Sequence, residues 1–187
     1  MKINITAILL SILYFIFLHS ACAQVMGWNW LNGIGSSGED ISTSFTTDAS
    51  NNIYITGYSN SPSLAFGTQS IMNPDGYAMF VAKYDPKGNT VWVRNSVGEF
   101  YEGALSIAAD ASGNVFVGGI FESNSISFDT IILFNHDLSR ASSDSYLVKY
   151  DSSGNVKWAR SSEGTDWDVP VSIANDHEGN NSVRKII

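Results

Sequence analysis

The chain has 187 residues, with ten Lys and Arg against 18 Asp and Glu, a net charge of −8 and one cysteine. Hydrophobic residues make up 44% and aromatic residues 12%, but charged residues only 15%, below the roughly 25% typical of a globular domain. The abundance of aromatic and β-branched residues argues against disorder, and the shortage of Glu and Lys argues against a helix bundle. Because so acidic a chain is a poor partner for a phosphate backbone, we expect no nucleic-acid ligand.

Residues 1–23 have the pattern of a secretory signal peptide. Lys2 precedes an apolar run from Ile5 to Leu18, which is shorter than the roughly 20 residues of a membrane span. Small residues at Ala21 and Ala23 then fit a signal-peptidase site. We therefore expect an exported chain that begins at Gln24 and has no transmembrane segment. Lys2 would leave with the signal, so the mature charge would be 9 − 18 = −9.

Two alternatives concern the same segment. Ser20 and Ala21 suit the positions before a lipidated cysteine, which would make Cys22 a lipoprotein anchor, but His19 stands where such a signal favours leucine. An uncleaved buried helix would lack a helical partner later in the sequence. The favoured location is secreted or at the cell surface, and the only cysteine leaves with the signal.

The remaining chain, residues 24–187, repeats itself at separations of 62 and 66 residues. Three markers share these separations: a tryptophan (Trp30, Trp92, Trp158), an acid ten residues later (Asp40, Glu102, Asp168) and an aspartate eight further on (Asp48, Asp110, Asp176). Agreement among three independent markers indicates a tandem repeat. The units lie at about residues 41–97 and 103–164, and a truncated third begins at 169.

Each complete unit contains the pattern of four short strands. In the second unit these are predicted at Ala104–Ala109, Val115–Phe121, Tyr146–Tyr150 and Val156–Arg160, because apolar β-branched and aromatic residues cluster there. Turns of the form Asp-x-x-Gly/Asn-Asn separate the strands, at Asp48, Asp85, Asp110, Asp151 and Asp176. Such an aspartate accepts hydrogen bonds from backbone N–H groups of its own turn. A Ser/Asn-rich stretch, Glu122 to Ser145, is expected to be a surface loop or an extra edge hairpin.

Four antiparallel strands repeated in tandem are typical of a β-propeller blade. A flat β-solenoid is the main alternative, although its rungs are usually shorter and lack paired hairpin turns. The predicted fold class is therefore all-β, with incomplete propeller architecture of about two full units plus partial ones.

The repeat also resembles a known family. Asp110 to Gly119 reads Asp-x-x-Gly-Asn-Val-Phe-Val-x-Gly, and Asp144 to Trp158 reads Asp-x-Tyr-Leu-Val-Lys-Tyr-Asp-x-x-Gly-Asn-x-x-Trp. This pattern is similar to the bacterial β-propeller repeat called SBBP, and Asp48 to Gly57 with Gly76 to Trp92 forms the other copy. Gly76 departs from the usual aspartate. The resemblance implies exported proteins of bacteria, notably Bacteroidetes, and it implies no reaction.

The third copy departs from the pattern. An apolar strand ending in glycine should follow Asn180, but the chain reads Asn181 to Ile187 and stops. Since a propeller has about four to eight blades, we expect a truncated copy of a longer parent. Trp28 to Leu31 resembles the last strand of a preceding blade.

Candidate chemical sites are weighed against structural roles. Gly33-Ile-Gly35-Ser-Ser-Gly38 matches a dinucleotide motif literally, but a strand-like segment follows where that motif needs a helix. The turn aspartates offer one carboxylate each, which favours structural turns over calcium loops. The loop acids Asp40, Glu102 and Asp168 are interpreted as hydrogen-bonding caps, with a weak cation site as the alternative. Trp30, Trp92 and Trp158 are interpreted as inter-blade packing, and not as a cofactor platform.

No catalytic set is apparent. His136 and His177 lie in loop segments without a fixed acid partner in sequence, and the chain has no G-x-S-x-G motif. We therefore expect no catalytic residue, cofactor or metal. The predicted function is a non-catalytic scaffold or binding module for protein or glycan at the cell surface. The alternative is the scaffold of a larger secreted enzyme (hydrolase, lyase or quinone-dependent dehydrogenase) with its catalytic residues outside this chain.

Overall fold

A computed structural model describes residues 30–73, 76–136, 142–162, 168–175 and 181–186. The predicted signal peptide, the turn at Asp176 and His177 lie outside these residues. The described residues form strands and turns and contain no α-helix, so none of them belongs to a helix that could cross a membrane. The predicted all-β class is confirmed.

The described residues form fifteen strands, which follow one another in sequence. They are β1 (Ile34–Gly35), β2 (Asp40–Thr47), β3 (Ile53–Ser59), β4 (Ser63–Phe66), β5 (Gln69–Met72), β6 (Ala78–Tyr84), β7 (Thr90–Asn95), β8 (Glu102–Ala109), β9 (Val115–Phe121), β10 (Ser125–Phe128), β11 (Ile131–Phe134), β12 (Asp144–Tyr150), β13 (Val156–Ser161), β14 (Val169–Asn175) and β15 (Asn181–Ile186).

Two four-stranded antiparallel sheets form the body of the structure. The strand order is β2-β3-β6-β7 in the first sheet and β8-β9-β12-β13 in the second. The four strands expected in the second unit are found with ends shifted by at most two residues. The prediction of four antiparallel strands per unit is confirmed.

Hairpins fill the segment between the second and third strands of each unit. In the first unit β4 pairs with β5 and β1, and in the second β10 pairs with β11. The stretch Glu122 to Ser145 therefore contains the extra hairpin, which was one of its two expected forms. In the first unit the hairpin also protects the sheet edge, because Gln69 Nε2 donates to the carbonyls of Thr90 (3.3 Å) and Val91 (3.1 Å) on β7.

The third unit begins as the first two do. β14 and β15 form an antiparallel hairpin, so residues 181–186 are extended although they lack the apolar pattern of β3 and β9. The first strand of each unit also carries a bulge at the same place, between Ser42 and Ser44, Ala104 and Ser106, and Pro170 and Ser172. These positions are again 62 and 66 residues apart, so the repeat is preserved in backbone geometry.

The two sheets pack face to face along a seam. Tyr54, Val81 and Trp92 of the first sheet share one buried apolar cluster with Ile107 and Val117 of the second. Ile173 of β14 in turn packs against Ala108 and Phe116 on the far face of the second sheet. Each unit therefore packs on the next one through the same pair of sheet faces.

The strand directions define two ends of the structure. All four described aspartate turns join strands at one end, which we call the turn end. Asp40, Glu102 and Asp168 lie at or just before the start of the first strand of their unit, at the opposite end. We call this the loop end.

Candidate functional site

The tryptophans of the repeat lie at the seams. Trp30 stacks on Tyr84 with ring centroids 5.9 Å apart, and Trp92 lies over Tyr150 at 6.2 Å. Each indole also covers the glycine of an aspartate turn. A Cβ added to Gly88 would stand 2.5 Å from Trp30, and one added to Gly154 would stand 2.8 Å from Trp92. Only glycine leaves room for the ring.

Polar contacts fix the same seam between the sheets. Trp92 Nε1 and Lys83 Nζ both donate to the carbonyl of Ser152, each at 3.1 Å, and Arg94 Nε donates to the carbonyl of Gly154 at 2.8 Å. Asn32 Nδ2 makes the corresponding contact to the carbonyl of Gly88 at 2.6 Å. Trp158 is half-buried, with its ring centroid 6.1 Å from that of Phe116.

The turn aspartates bond within their own turns. Asp48, Asp85, Asp110 and Asp151 each accept two backbone N–H groups on Oδ1 and the amide of the following Asn on Oδ2, at 2.7–3.1 Å. The fourth residue of each turn has positive φ, from 61° at Asn51 to 85° at Gly88. Both carboxylate oxygens therefore already have donors.

These hydrogen bonds favour the ionised carboxylates. The side-chain amide and then the backbone N–H of Asn89 hold the pKa of Asp85 below its usual value. The backbone N–H of Asn155 is the main cause of the lowered pKa of Asp151. At Asp48 burial acts in the opposite direction, but the hydrogen bonds outweigh it and the pKa is again lowered.

The loop acids are held by serines. Asp40 accepts Ser59 Oγ at 2.5 Å and Ser61 Oγ at 2.8 Å on one oxygen, and the backbone N–H of Ser36 at 2.7 Å on the other. Burial raises the pKa of Asp40, but these three hydrogen bonds together lower it further than burial raises it. Ser61 Oγ in turn accepts the backbone N–H of Gly38 at 2.9 Å, so the acid and the serine tie the preceding loop to the sheet.

Glu102 makes the equivalent contact in a fully buried position. Ser123 Oγ donates to Glu102 Oε1 and accepts the backbone N–H groups of Glu99 at 2.8 Å and Phe100 at 2.9 Å. Glu102 Oε2 has no hydrogen-bond partner. Burial is the main reason that the pKa of Glu102 rises to about 7, against the opposing effects of the Ser123 hydroxyl and the backbone N–H of Phe100.

The third loop acid, Asp168, is also buried, and its backbone N–H donates to the carbonyl of Ser143 at 3.0 Å. Across residues 30–73, 76–136 and the shorter described stretches, no three His, Cys, Asp or Glu side chains gather closely enough to hold a metal ion. The interpretation of the loop acids as caps stays a prediction.

His136 differs from the sequence expectation, because it has an acid partner. Its Nδ1 lies 3.1 Å from Oδ2 of the buried Asp144, which also accepts the backbone N–H of His136 at 3.0 Å. A spacing of eight residues matches no motif and does not predict this pairing. The two residues meet because the β10–β11 hairpin returns the chain to the start of β12.

The glycine motif at residues 33–38 leads into a strand. Gly35 ends β1, and β2 begins at Asp40. A pyrophosphate site of the dinucleotide type needs a helix N-terminus at this point, so the segment lacks the element that gives the motif its chemistry.

A tyrosine cluster at the loop end was not singled out from sequence. Tyr58, Tyr77 and Tyr101 are half-buried, and their ring centroids lie 5.3–6.0 Å apart. The spacings 19 and 24 match no motif. The signal that could have identified the cluster is departure from the repeat, because the equivalent positions hold Ile120, Ser143 and Glu39.

The fold defines a class: tandem four-stranded antiparallel sheets that pack on one another through a repeated contact have the arrangement of incomplete propeller-like repeats. In agreement, residues 31–62 match the family model for SBBP, the beta-propeller repeat. The chain is also 28% identical, over 143 residues, to an uncharacterised WD repeat-containing protein of Acanthamoeba polyphaga mimivirus. That match covers 70% of this chain and 10% of the relative, so the chain spans about a tenth of the length of the relative.

Proposed function

We propose that this chain is a non-catalytic part of a secreted β-propeller that acts as a scaffold or binding module for protein or glycan at the cell surface. The observation that carries the proposal is a difference between the polar residues that repeat and those that do not. The repeated residues form hydrogen bonds in the turns, around the loop acids and across the seams. Tyr58, Tyr77 and Tyr101 do not repeat, and they lie together on the surface of the loop end.

The repeated groups support a scaffold role because their reactive atoms are already bonded. Both oxygens of Asp48 accept hydrogen bonds from Ser50, Asn52 and Tyr54. The indole of Trp92 lies over Gly154 and donates its N–H to the carbonyl of Ser152. An enzyme would need such groups to face a substrate cavity instead.

Export is the second part of the proposal and rests on the signal-like pattern of residues 1–23. Its test is expression of the full chain with its own N-terminus in a Gram-negative host, followed by N-terminal sequencing of the product outside the cytoplasm. The expected first residue is Gln24. A product that begins at a lipid-modified Cys22 would favour the lipoprotein alternative, and a product that keeps Met1 in the cytoplasm would contradict export.

Binding is tested with the purified full chain on a glycan array and on an array of purified bacterial surface proteins. A Gly154→Val variant, which places a branched side chain where the Trp92 ring lies, is the control for binding that does not need the folded seam. Saturable binding by the wild-type chain and its loss in the control would support the proposal. Turnover of a substrate by the wild-type chain and not by the control would overturn it.

A further inference from the structure

The tyrosine triad, Tyr58, Tyr77 and Tyr101, joins the two sheets at the loop end. Tyr58 comes from β3, whereas Tyr77 and Tyr101 directly precede β6 and β8. The three rings meet at interplanar angles of 48–67°, which is the tilted to edge-on packing that aromatic pairs prefer. Each ring is supported by the other two and keeps part of its surface open to solvent.

The backbone holds the triad rigidly. Tyr77 N donates to the carbonyl of Phe100 at 2.7 Å, and Glu102 N donates to the carbonyl of Tyr77 at 2.8 Å. These two bonds fasten the segment before β6 to the segment before β8. The approach requires Gly76, which has φ of +61° and whose added Cβ would stand 2.2 Å from the Phe100 carbonyl oxygen. A surface fixed in this way loses little conformational entropy when a partner binds.

Three glutamates, Glu39, Glu99 and Glu122, lie in the loops next to the triad. Tyr77 donates its hydroxyl to Glu39 Oε2 at 2.9 Å. Glu99 precedes Tyr101 by two residues in the loop between β7 and β8. Glu122 lies in the loop between β9 and β10, and its backbone N–H donates to the carbonyl of Tyr101 at 2.9 Å. By contrast, the lysines of the two four-stranded sheets all lie in or next to the turns of the opposite end: Lys83, Lys87, Lys149 and Lys157.

We propose that the tyrosine triad with Glu39, Glu99 and Glu122 binds an arginine-bearing segment of a partner protein. This inference rests on the proposed binding function and names the surface and the chemistry of the partner. A guanidinium group gains both from the faces of aromatic rings and from nearby carboxylates. The acidic rim and the chain charge of −8 favour approach of a cationic segment, whereas a neutral glycan carries no charge for the rim to attract.

The probe is an acetylated and amidated peptide of alternating Gly and Arg, and its matched control replaces every Arg with neutral citrulline. Binding to the full chain is measured by isothermal titration at low and at physiological salt. The variant is Tyr58→Ile with Tyr77→Ser, which installs the residues that the second unit holds at Ile120 and Ser143. The expected result is a Kd at least about tenfold weaker for the variant, while the variant still unfolds cooperatively at a midpoint lowered by the loss of the ring contacts.

A pair of charge variants separates the site from general acidity. Glu39→Gln and Asp129→Gly each remove one negative charge, but Asp129 lies in the β10–β11 turn, where the first unit has Gly67. We expect the former to weaken Kd severalfold and the latter to leave it within about twofold. Equal effects of the two variants, or equal binding of the citrulline peptide, would overturn the inference.

The two proposals fail in different ways. If the double tyrosine variant binds array ligands and the Arg peptide as tightly as the wild-type chain, the triad is not the site and the binding function stands. If the wild-type chain binds a neutral oligosaccharide in preference to the peptide and the double variant loses it, the partner chemistry is wrong. If the chain binds neither an array ligand nor the Arg peptide, the proposed function fails together with the inference.

Discussion

Trp92 donates its indole N–H to the carbonyl of Ser152 across the seam, at 3.1 Å, while its ring lies against the Cα of Gly154 two residues further on. One side chain of the first sheet thus holds the turn of the second by a hydrogen bond and by ring contact. Trp30 lies on Gly88 in the same way. The tryptophan-on-glycine contact is therefore the repeated contact that joins each sheet to the segment before it.

Gly154→Ala should destabilise the chain for two reasons. Its φ of +81° is costly for alanine, by about 1–2 kcal/mol, and the added Cβ would stand 2.8 Å from Trp92. Displacing the ring adds about 1–3 kcal/mol. Gly67→Ala is the matched control, with φ of +61° and its nearest neighbour, Thr90 Oγ1, at 3.1 Å. Urea unfolding should give a loss for Gly154→Ala about twice that for Gly67→Ala, and equal losses would contradict the role of the ring.

The strands of the complete units could be predicted from sequence because local signals agree there. At β9, Val115 to Phe121 is an apolar run that begins directly after an Asp-x-x-Gly-Asn turn, so composition and turn chemistry mark the same boundary. The β4–β5 and β10–β11 hairpins have weaker sequence signals, because their strands have only four residues each. Pairing of the two-residue β1 with β4 has no local signal at all.

The loop end was only partly predictable. The spacing of 62 and 66 residues identified Asp40 and Glu102 as equivalent, but no pattern showed that one is partly exposed and the other fully buried. Burial depends on the loops folded over each acid, and those loops do not repeat. The His136–Asp144 pair and the tyrosine triad are likewise tertiary contacts between segments that are distant or irregular in sequence.

Asp48→Ala should cost more stability than Asp85→Ala. Both changes remove the acceptor for two backbone N–H groups and one amide, and so both should destabilise the chain. Asp48 also accepts the hydroxyl of Tyr54 at 2.9 Å, in the seam, so its removal should cost about 1 kcal/mol more. Thermal unfolding compares the variants. A larger loss for Asp85→Ala, or a midpoint of the wild-type chain that rises with millimolar calcium, would contradict the structural role of the turns.

Phe45 and Ile107 occupy equivalent positions in β2 and β8 but have opposite environments. Phe45 is 75% exposed beside an apolar cleft of about 280 Å³ that Ile53 and Ile55 also line, whereas Ile107 is 6% exposed in the seam cluster. Ile107→Ser should cost about 3 kcal/mol or more. Phe45→Ser should change the unfolding free energy by less than about 0.5 kcal/mol.

The exposed face at Phe45 should also govern self-association. An apolar patch of this kind favours contact between molecules, so sedimentation velocity should show less oligomer for Phe45→Ser than for the wild-type chain at the same concentration. Thr46→Ser, a change at a neighbouring position of β2, is the control.

The stability prediction has its own contrary outcome. An Ile107→Ser variant as stable as the wild-type chain would contradict the assignment of the seam.

Glu102 should give the stability of this chain an unusual pH dependence. Its pKa is about 7 in the folded chain, against about 4.3 for an unfolded glutamate, so the folded state holds the proton more tightly. The stability that this group contributes is therefore fully present below about pH 4 and is lost as pH rises to about 7, by up to about 3 kcal/mol. Asp40, Asp48, Asp85 and Asp151 have lowered pKa values and act with the opposite sign, below about pH 4.

Glu102→Gln tests this directly, because an amide keeps an acceptor for Ser123 and cannot ionise. Urea unfolding from pH 4.5 to 8 should give nearly equal free energies for the two proteins at the acidic limit. At pH 8 the variant should be the more stable by up to about 3 kcal/mol, since the wild-type chain must then bury an ionised carboxylate whose Oε2 has no hydrogen-bond partner. Taking the difference between the two proteins removes the effect of every other titrating group. A difference that stays constant across this range would show that the folded chain does not perturb Glu102, and a variant less stable at pH 8 would show that the carboxylate itself holds the loop.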